Sequence, residues 1–229
     1  MTDFLASTHG DADAAPVEAG RGIGLTPDDL QTYIEARGIA ARLVRGLGDT
    51  STVPLAAAAL GVETERIIKS LLLLVKLPGH GDSPGAAAFG ETVGGTGYPN
   101  PQPVLVISNG ERRVDYRAIG AHFGVSRKKV EFAPADVVLA LFGYPAGGVP
   151  PFGHRTPVPV VLDPAVLALP GGDTATIYGG GGDESTMLEI TVGELRRVVQ
   201  PEILLAQQTA TCGDTCCAPP AAGLAGGML

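Results

Sequence analysis

Lys69 is the only charged residue in the apolar run Ile67–Val75. In a strand, Ile67 and Leu71 share its face. Burying an unpaired ammonium is costly, so a lysine placed this way takes an anionic partner or a ligand, unless it sits at a sheet edge and reaches water. A second chemical signal is the stretch GGVPPFGHRTPVPVV, residues 147–161. Proline fixes φ and removes a donor, whereas glycine permits backbone shapes and close approaches that side chains forbid. A loop built from both suits the display of main-chain N–H groups in a fixed geometry. Gly147, Gly148 and Gly153 would let amides face a carbonyl oxygen and hold the oxyanion of a tetrahedral intermediate. The same composition also suits a rigid connector between a helix and a strand. His154, at the end of the loop, is a candidate acid, base or positioning group, with a structural role beside the turn as the alternative.

Other sites fail on spacing. No G-x-S-x-G elbow is present. Cys212, Cys216 and Cys217 all lie in the C-terminal tail, so the folded part offers no thiol nucleophile. That tail lacks the four ligands of a structural zinc site. The four histidines are scattered. The run Gly179–Gly182 is not spaced as a phosphate loop, and Asp183 and Glu184 behind it would repel phosphate.

The elements that must carry these residues are legible in outline. Thr26, Pro27, Asp28 and Asp29 open a helix that Gly38 stops. Thr52 caps a second helix ended by Gly61. Residues 66–76 and 103–108 form two paired strands around an irregular insertion at 77–102, with Asn109–Gly110 as a hairpin turn. Asp115 caps a helix running to Phe123. A short strand, a helix at 134–143, strands at 158–162, 175–179 and 187–191, and a helix from Thr191 follow, the last with Thr191 and Glu194 at capping-box spacing. Mixed order without strict βαβ alternation predicts an α/β (α+β) domain: a mixed, largely antiparallel sheet or barrel surrounded by helices. Residues 1–24 and 206–229 read as disordered tails around one domain at 25–205.

Composition bounds the partners. Glycine is 33 of 229 residues, about twice the usual ~7%, and the excess marks loops and tails around a core that the 45% apolar content can supply. A net charge of −8 argues against a general nucleic-acid coater. It leaves room for a local basic patch, and Arg112, Arg113, Arg117, Arg127, Lys128 and Lys129 gather six cations in eighteen residues. The alternative is a solvated helix face. No apolar run approaches the ~20 residues of a membrane span, and no secretory leader is visible. Cysteine usage suits a cytoplasmic setting.

Lys69 within RIIKSLLLLV and the loop GYPAGGVPPFGH occur in this order, with TSTVPLAAAALGV before them and RRVDYRAIGAHFG between. Together they resemble the YbaK-like aminoacyl-tRNA deacylases, relatives of the editing domain inserted in bacterial prolyl-tRNA synthetases, from about Leu25 to Pro201. The resemblance implies a compact α/β domain that hydrolyses the ester joining a wrong amino acid to tRNA, with no metal or cofactor. It matches Lys69 to an essential lysine. It matches Gly147 to Gly153, including Val149, Pro150, Pro151 and Phe152, to a loop contacting the substrate carbonyl and 3′-terminal adenosine. Thr52 and His154 join the substrate-binding candidates. Attack would be assisted by the substrate's own ribose hydroxyl or side chain. The family often carries basic residues where Asp183 and Glu184 stand here, and some members carry an Asp where this chain has Met187.

The expectation is a freestanding trans-editing deacylase for a tRNA mischarged with alanine, serine, threonine or cysteine. The basic stretch 112–129 would contact acceptor-stem phosphates, and an aminoacyl-tRNA synthetase is a further partner. One alternative is a noncatalytic module binding charged tRNA or an aminoacyl-adenosine-like ligand; another is a hydrolase of a different small ester or amide.

Overall fold

The computed structural model describes residues 24–78 and 100–206. The expected N-terminal tail up to residue 23, most of the 77–102 insertion and the cysteine-bearing tail lie outside the described residues. Helix α1 (Pro27–Ala36) begins with a reciprocal box: Thr26 Oγ1 accepts from the Asp29 amide, and the Asp29 carboxylate accepts from the Thr26 amide at 2.7 Å. Helix α2 (Val53–Leu60) starts at Thr52 and ends at Gly61, whose φ of 67° is left-handed. Between them β1 (Ala41–Val44) forms, a strand the sequence did not announce.

The remaining order is β2 (Ile68–Val75), β3 (Gln102–Asn109), α3 (Tyr116–His122), β4 (Val130–Phe132), α4 (Ala135–Phe142), β5 (Val160–Leu162), α5 (Pro164–Leu167), β6 (Thr176–Gly180), β7 (Met187–Thr191), α6 (Val192–Val199) and β8 (Glu202–Ile203). One sheet runs β4-β2-β3-β5-β8 and the other β1-β7-β6. Antiparallel pairs dominate, and β5 joins β3 and β8 in parallel. An isolated parallel bridge from Ile67 to Tyr178 links the sheets at the start of β2. Of the expected sheet or barrel, the sheet forms, and among the described residues no barrel closes.

Both faces of β2 are covered, which is why its sequence is almost unbroken hydrocarbon. Ile68 and Leu72 enter the main core with Leu30, Phe142 and Phe152. Leu73 and Val75 enter a second core with Val114 and Ile119 beneath α3. Alternation therefore assigns Lys69 to the face that leads to α3.

Two local expectations change. Asn109–Gly110 is not a hairpin turn: β3 pairs with β2 across the insertion, and the next strand beside β3 is the parallel β5. Asn109 Nδ2 instead donates to Glu65 O at 2.8 Å, and the Gly110 amide donates to Ile67 O. The Thr191–Glu194 box is half formed. Thr191 Oγ1 accepts from the Glu194 amide, but the Glu194 carboxylate accepts from Ala40 N–H and Arg197. Packing also runs past residue 205: Ala206 is fully buried, and its amide donates to the buried Asp163 carboxylate at 2.7 Å.

Candidate active site

The Pro-rich loop rests on β6 backbone against backbone. Pro145 O accepts from the Gly148 amide at 3.1 Å, and Gly147 between them has φ 100°, the pattern of a type II turn that glycine allows. Gly148 O then accepts from the Gly182 amide at 2.9 Å. A Cβ on Gly148 would lie 2.8 Å from Asp183 N and O, and one on Gly180 would lie 2.5 Å from Val149 O. The glycine run at 179–182 is thus the seat of the loop.

The loop's own side chains are anchors. Val149, Pro150, Pro151 and Phe152 are buried, and the Phe152 ring stacks on Tyr33 with centroids 6.0 Å apart. What the loop leaves free for other contacts is its backbone. The Gly148 amide is occupied by Pro145, so the donor expected there is already used. The amides of exposed Gly147 and of Val149 have no hydrogen-bond partner among the described residues.

His154 braces this arrangement. Its Nε2 lies 2.8 Å from Pro150 O, and because a carbonyl only accepts, Nε2 carries the proton. The ring stacks on Phe142 at 3.9 Å. Burial lowers its pKa to about 4, which keeps it neutral near pH 7. With the folded value below the usual 6.5, the resulting stability is complete above pH 6.5 and is lost as pH falls toward 4. We expect thermal melting to decline across that window by a contribution of about 3 kcal/mol. His154→Gln, which can still donate to Pro150, should flatten the decline; identical pH slopes for both proteins would remove His154 as its cause.

A cavity of about 570 Å³ opens beside the loop, lined by Gly48, Asp49, Pro145, Asp183, Glu184 and Ser185. Its first wall is the segment before α2, tied down where Thr50 N–H and Oγ1 donate to Glu184 O at 2.7 and 2.8 Å and Leu47 N–H donates to Ser185 O. Gly48, Asp49 and Pro145 were not foreseen, although the density of Gly, Asp and Thr at 46–52 marked a shaped loop. Thr52 is exposed and caps α2 by accepting from the Leu55 amide at 3.4 Å.

Lys69 is half-buried, and its Nζ donates to Arg112 O at 2.5 Å. Burial lowers its pKa, and the nearby Glu111 charge works in the opposite direction. Ser108, its cross-strand neighbour, is fully buried, with no partner for its hydroxyl among the described residues. Lys69 is not in the lining of the cavity. Gly179 marks how close the two parts come: a Cβ there would lie 3.2 Å from Ile68 and 3.5 Å from Pro151. Lys69 follows Ile68 but points to the other face of β2. The structure thus brings the loop and the lysine to the same end of one strand, on different faces.

Arg112, Arg113, Arg117, Arg127, Lys128 and Lys129 are all exposed around α3. None has a carboxylate within ion-pair distance among the described residues, whereas Arg42, Arg45, Lys76, Arg196 and Arg197 each do. The cations do not share one helix face: Arg127–Lys129 form a separate 3-10 turn beyond α3. Among the described residues no three His, Cys, Asp or Glu side chains gather as a metal ligand set, and no helix is long and apolar enough to cross a membrane.

The domain is thus mixed α/β, with a glycine-seated Pro-rich loop, a half-buried lysine at the start of β2 and six exposed cations around α3. Residues 48–198 match the family model of the aminoacyl-tRNA editing domain. The chain belongs to that family, whose general activity is removal of an amino acid from tRNA by ester hydrolysis. The fold agrees. It superposes on the hypothetical protein APE2540 with TM-score 0.60 and 28% identity, covering 79% of this chain and 99% of that one. It also superposes on a candidate trans-editing enzyme for prolyl-tRNA synthetase with TM-score 0.62 and 24% identity, covering 82% and 100%.

Proposed function

We propose that this protein is a freestanding, trans-acting deacylase for tRNA mischarged with a small amino acid of the alanine, serine, threonine or cysteine class. The observation that carries the reading is the backbone-seated loop, whose unpartnered amides at Gly147 and Val149 follow within four residues of Pro145 in the cavity lining. These amides donate to the ester carbonyl oxygen and hold it as negative charge develops, a role worth roughly 3 kcal/mol per donor. Water adds to the carbonyl carbon with help from the substrate's own ribose hydroxyl. The bond to the ribose oxygen breaks, that oxygen takes one of the water's protons, and the amino acid leaves as a carboxylate while the second proton passes to solvent. The chemistry runs without a metal or a protein nucleophile.

Lys69 and the loop act on different parts of the substrate, in keeping with their different faces of β2. The ammonium grips the terminal phosphodiester, and the amides grip the ester. Asp49, Asp183 and Glu184 around the cavity suit the free α-ammonium of the aminoacyl group. The exposed cations of residues 112–129 supply phosphate contacts, which give affinity without sequence.

The test is a panel of tRNAs charged with alanine, serine, threonine, cysteine, leucine and phenylalanine. We expect at least one small amino acid to be released well above the spontaneous rate, with leucine and phenylalanine spared. Overlap among the small ones is expected, because one methylene is worth only about 1–3 kcal/mol. Tight binding of charged tRNA with no release from any would replace the deacylase by a noncatalytic binding module.

A further inference from the structure

Phe132 lies on β4 at the edge of the five-stranded sheet, and half of its surface, 51%, is open to solvent. An exposed aromatic residue alone means little. This one stands edge-on to Tyr116, with centroids 5.5 Å apart, and the Arg127 guanidinium lies 5.7 Å from the Tyr116 ring. Two rings and a planar cation therefore form one contiguous surface beside the unpaired cations around α3. The acid next to it, Glu131, is held by Lys76 at 2.9 Å. On a chain of net charge −8, this aromatic cluster sits where positive charge is left without carboxylates.

Register ties the cluster to Lys69. Phe132 pairs with Leu73, so it shares the β2 face that Lys69 occupies four residues earlier, about 13 Å along the strand. Cations that follow a backbone, interleaved with rings on which bases stack, are the means by which proteins hold single-stranded nucleic acid. Duplex contacts need no exposed ring. We propose that Phe132, Tyr116 and Arg127 form a stacking platform for the unpaired bases that precede the 3′-terminal adenosine of tRNA. The proposal rests on the deacylase reading for the identity of the RNA. The strand leaves Lys69, passes over the outer surface of α3, which covers this face of β2, and stacks on Phe132.

The test compares kcat/KM on full-length charged tRNA with kcat/KM on a 3′-aminoacyl-adenosine ester, which lacks the preceding nucleotides. In Phe132→Ala the advantage of the tRNA over the short ester should fall roughly tenfold, through KM and not kcat. Phe132→Tyr should restore it. In parallel, binding of an uncharged single-stranded RNA tetranucleotide ending in CCA is followed by fluorescence anisotropy, and Phe132→Ala should weaken it by a similar factor. An unchanged ratio, or RNA binding equal to wild type, overturns the platform. Should wild type hydrolyse neither ester, the deacylase reading fails, and the RNA-binding arm still decides the platform.

Discussion

Replacing Lys69 with alanine is expected to lower kcat/KM on charged tRNA about a hundredfold while the protein stays folded. The magnitude follows from removing one charge-assisted contact to a phosphate, worth roughly 2–3 kcal/mol where water is partly excluded. The folded state should tolerate the change. Burial already disfavours the charged form of Lys69, and the side chain gives back one hydrogen bond, to Arg112 O. Melting temperatures of wild type and Lys69→Ala should therefore agree within a few degrees. Lys69→Arg should rescue only in part, since a planar fork does not occupy the place of a compact ammonium. The pH profile gives a second check. Burial lowers the lysine pKa, so activity that depends on the cation should fail on the alkaline side sooner than a free lysine would dictate. In Lys69→Arg that limb should move upward. Equal turnover by wild type and Lys69→Ala would remove the residue from the mechanism.

What the sequence disclosed and what it withheld divide along the range of the interactions. The caps at Thr26 and Thr52 and the stop at Gly61 are set by neighbours within four residues, and they form as the sequence suggests. The doubly buried β2 announces itself by composition. By contrast, β1 is four residues of mixed exposure, made a strand only by β7, to which Arg42 is tied through Glu189 at 2.7 Å. Glu194 has capping-box spacing, yet its carboxylate is captured by Ala40, 154 residues away in sequence. The loop at 147–153 is recognisable by composition, but its seat is not, because only tertiary contact shows which glycines another backbone approaches. For the same reason the Gly148 donor looks available in sequence and is occupied in the fold. The lysine and the loop are each visible alone; that they reach the start of β2 from different faces follows from strand register.

The seat leads to a prediction at a residue that touches no substrate. Gly180→Ala should destabilise the protein by about 1–3 kcal/mol and reduce kcat/KM by about a hundredfold. The added Cβ would meet Val149 O at 2.5 Å and Gly148 C and O at 2.7 Å. All three are backbone atoms, so no rotamer change relieves the clash and the loop itself must lift. The Gly182-to-Gly148 hydrogen bond would stretch with it, carrying the Gly147 and Val149 amides away from the carbonyl they are proposed to hold. Gly179→Ala is the comparison. Its Cβ would meet side-chain atoms, Ile68 Cγ1 at 3.2 Å and Pro151 Cδ at 3.5 Å, and Ile68 can give by a few tenths of an ångström. We expect that variant to lose much less activity. Thermal melts and kcat/KM measured on both separate displacement of the loop from general loss of stability. If Gly180→Ala melts lower yet keeps kcat/KM within about threefold of wild type, the loop amides do not hold the reacting carbonyl.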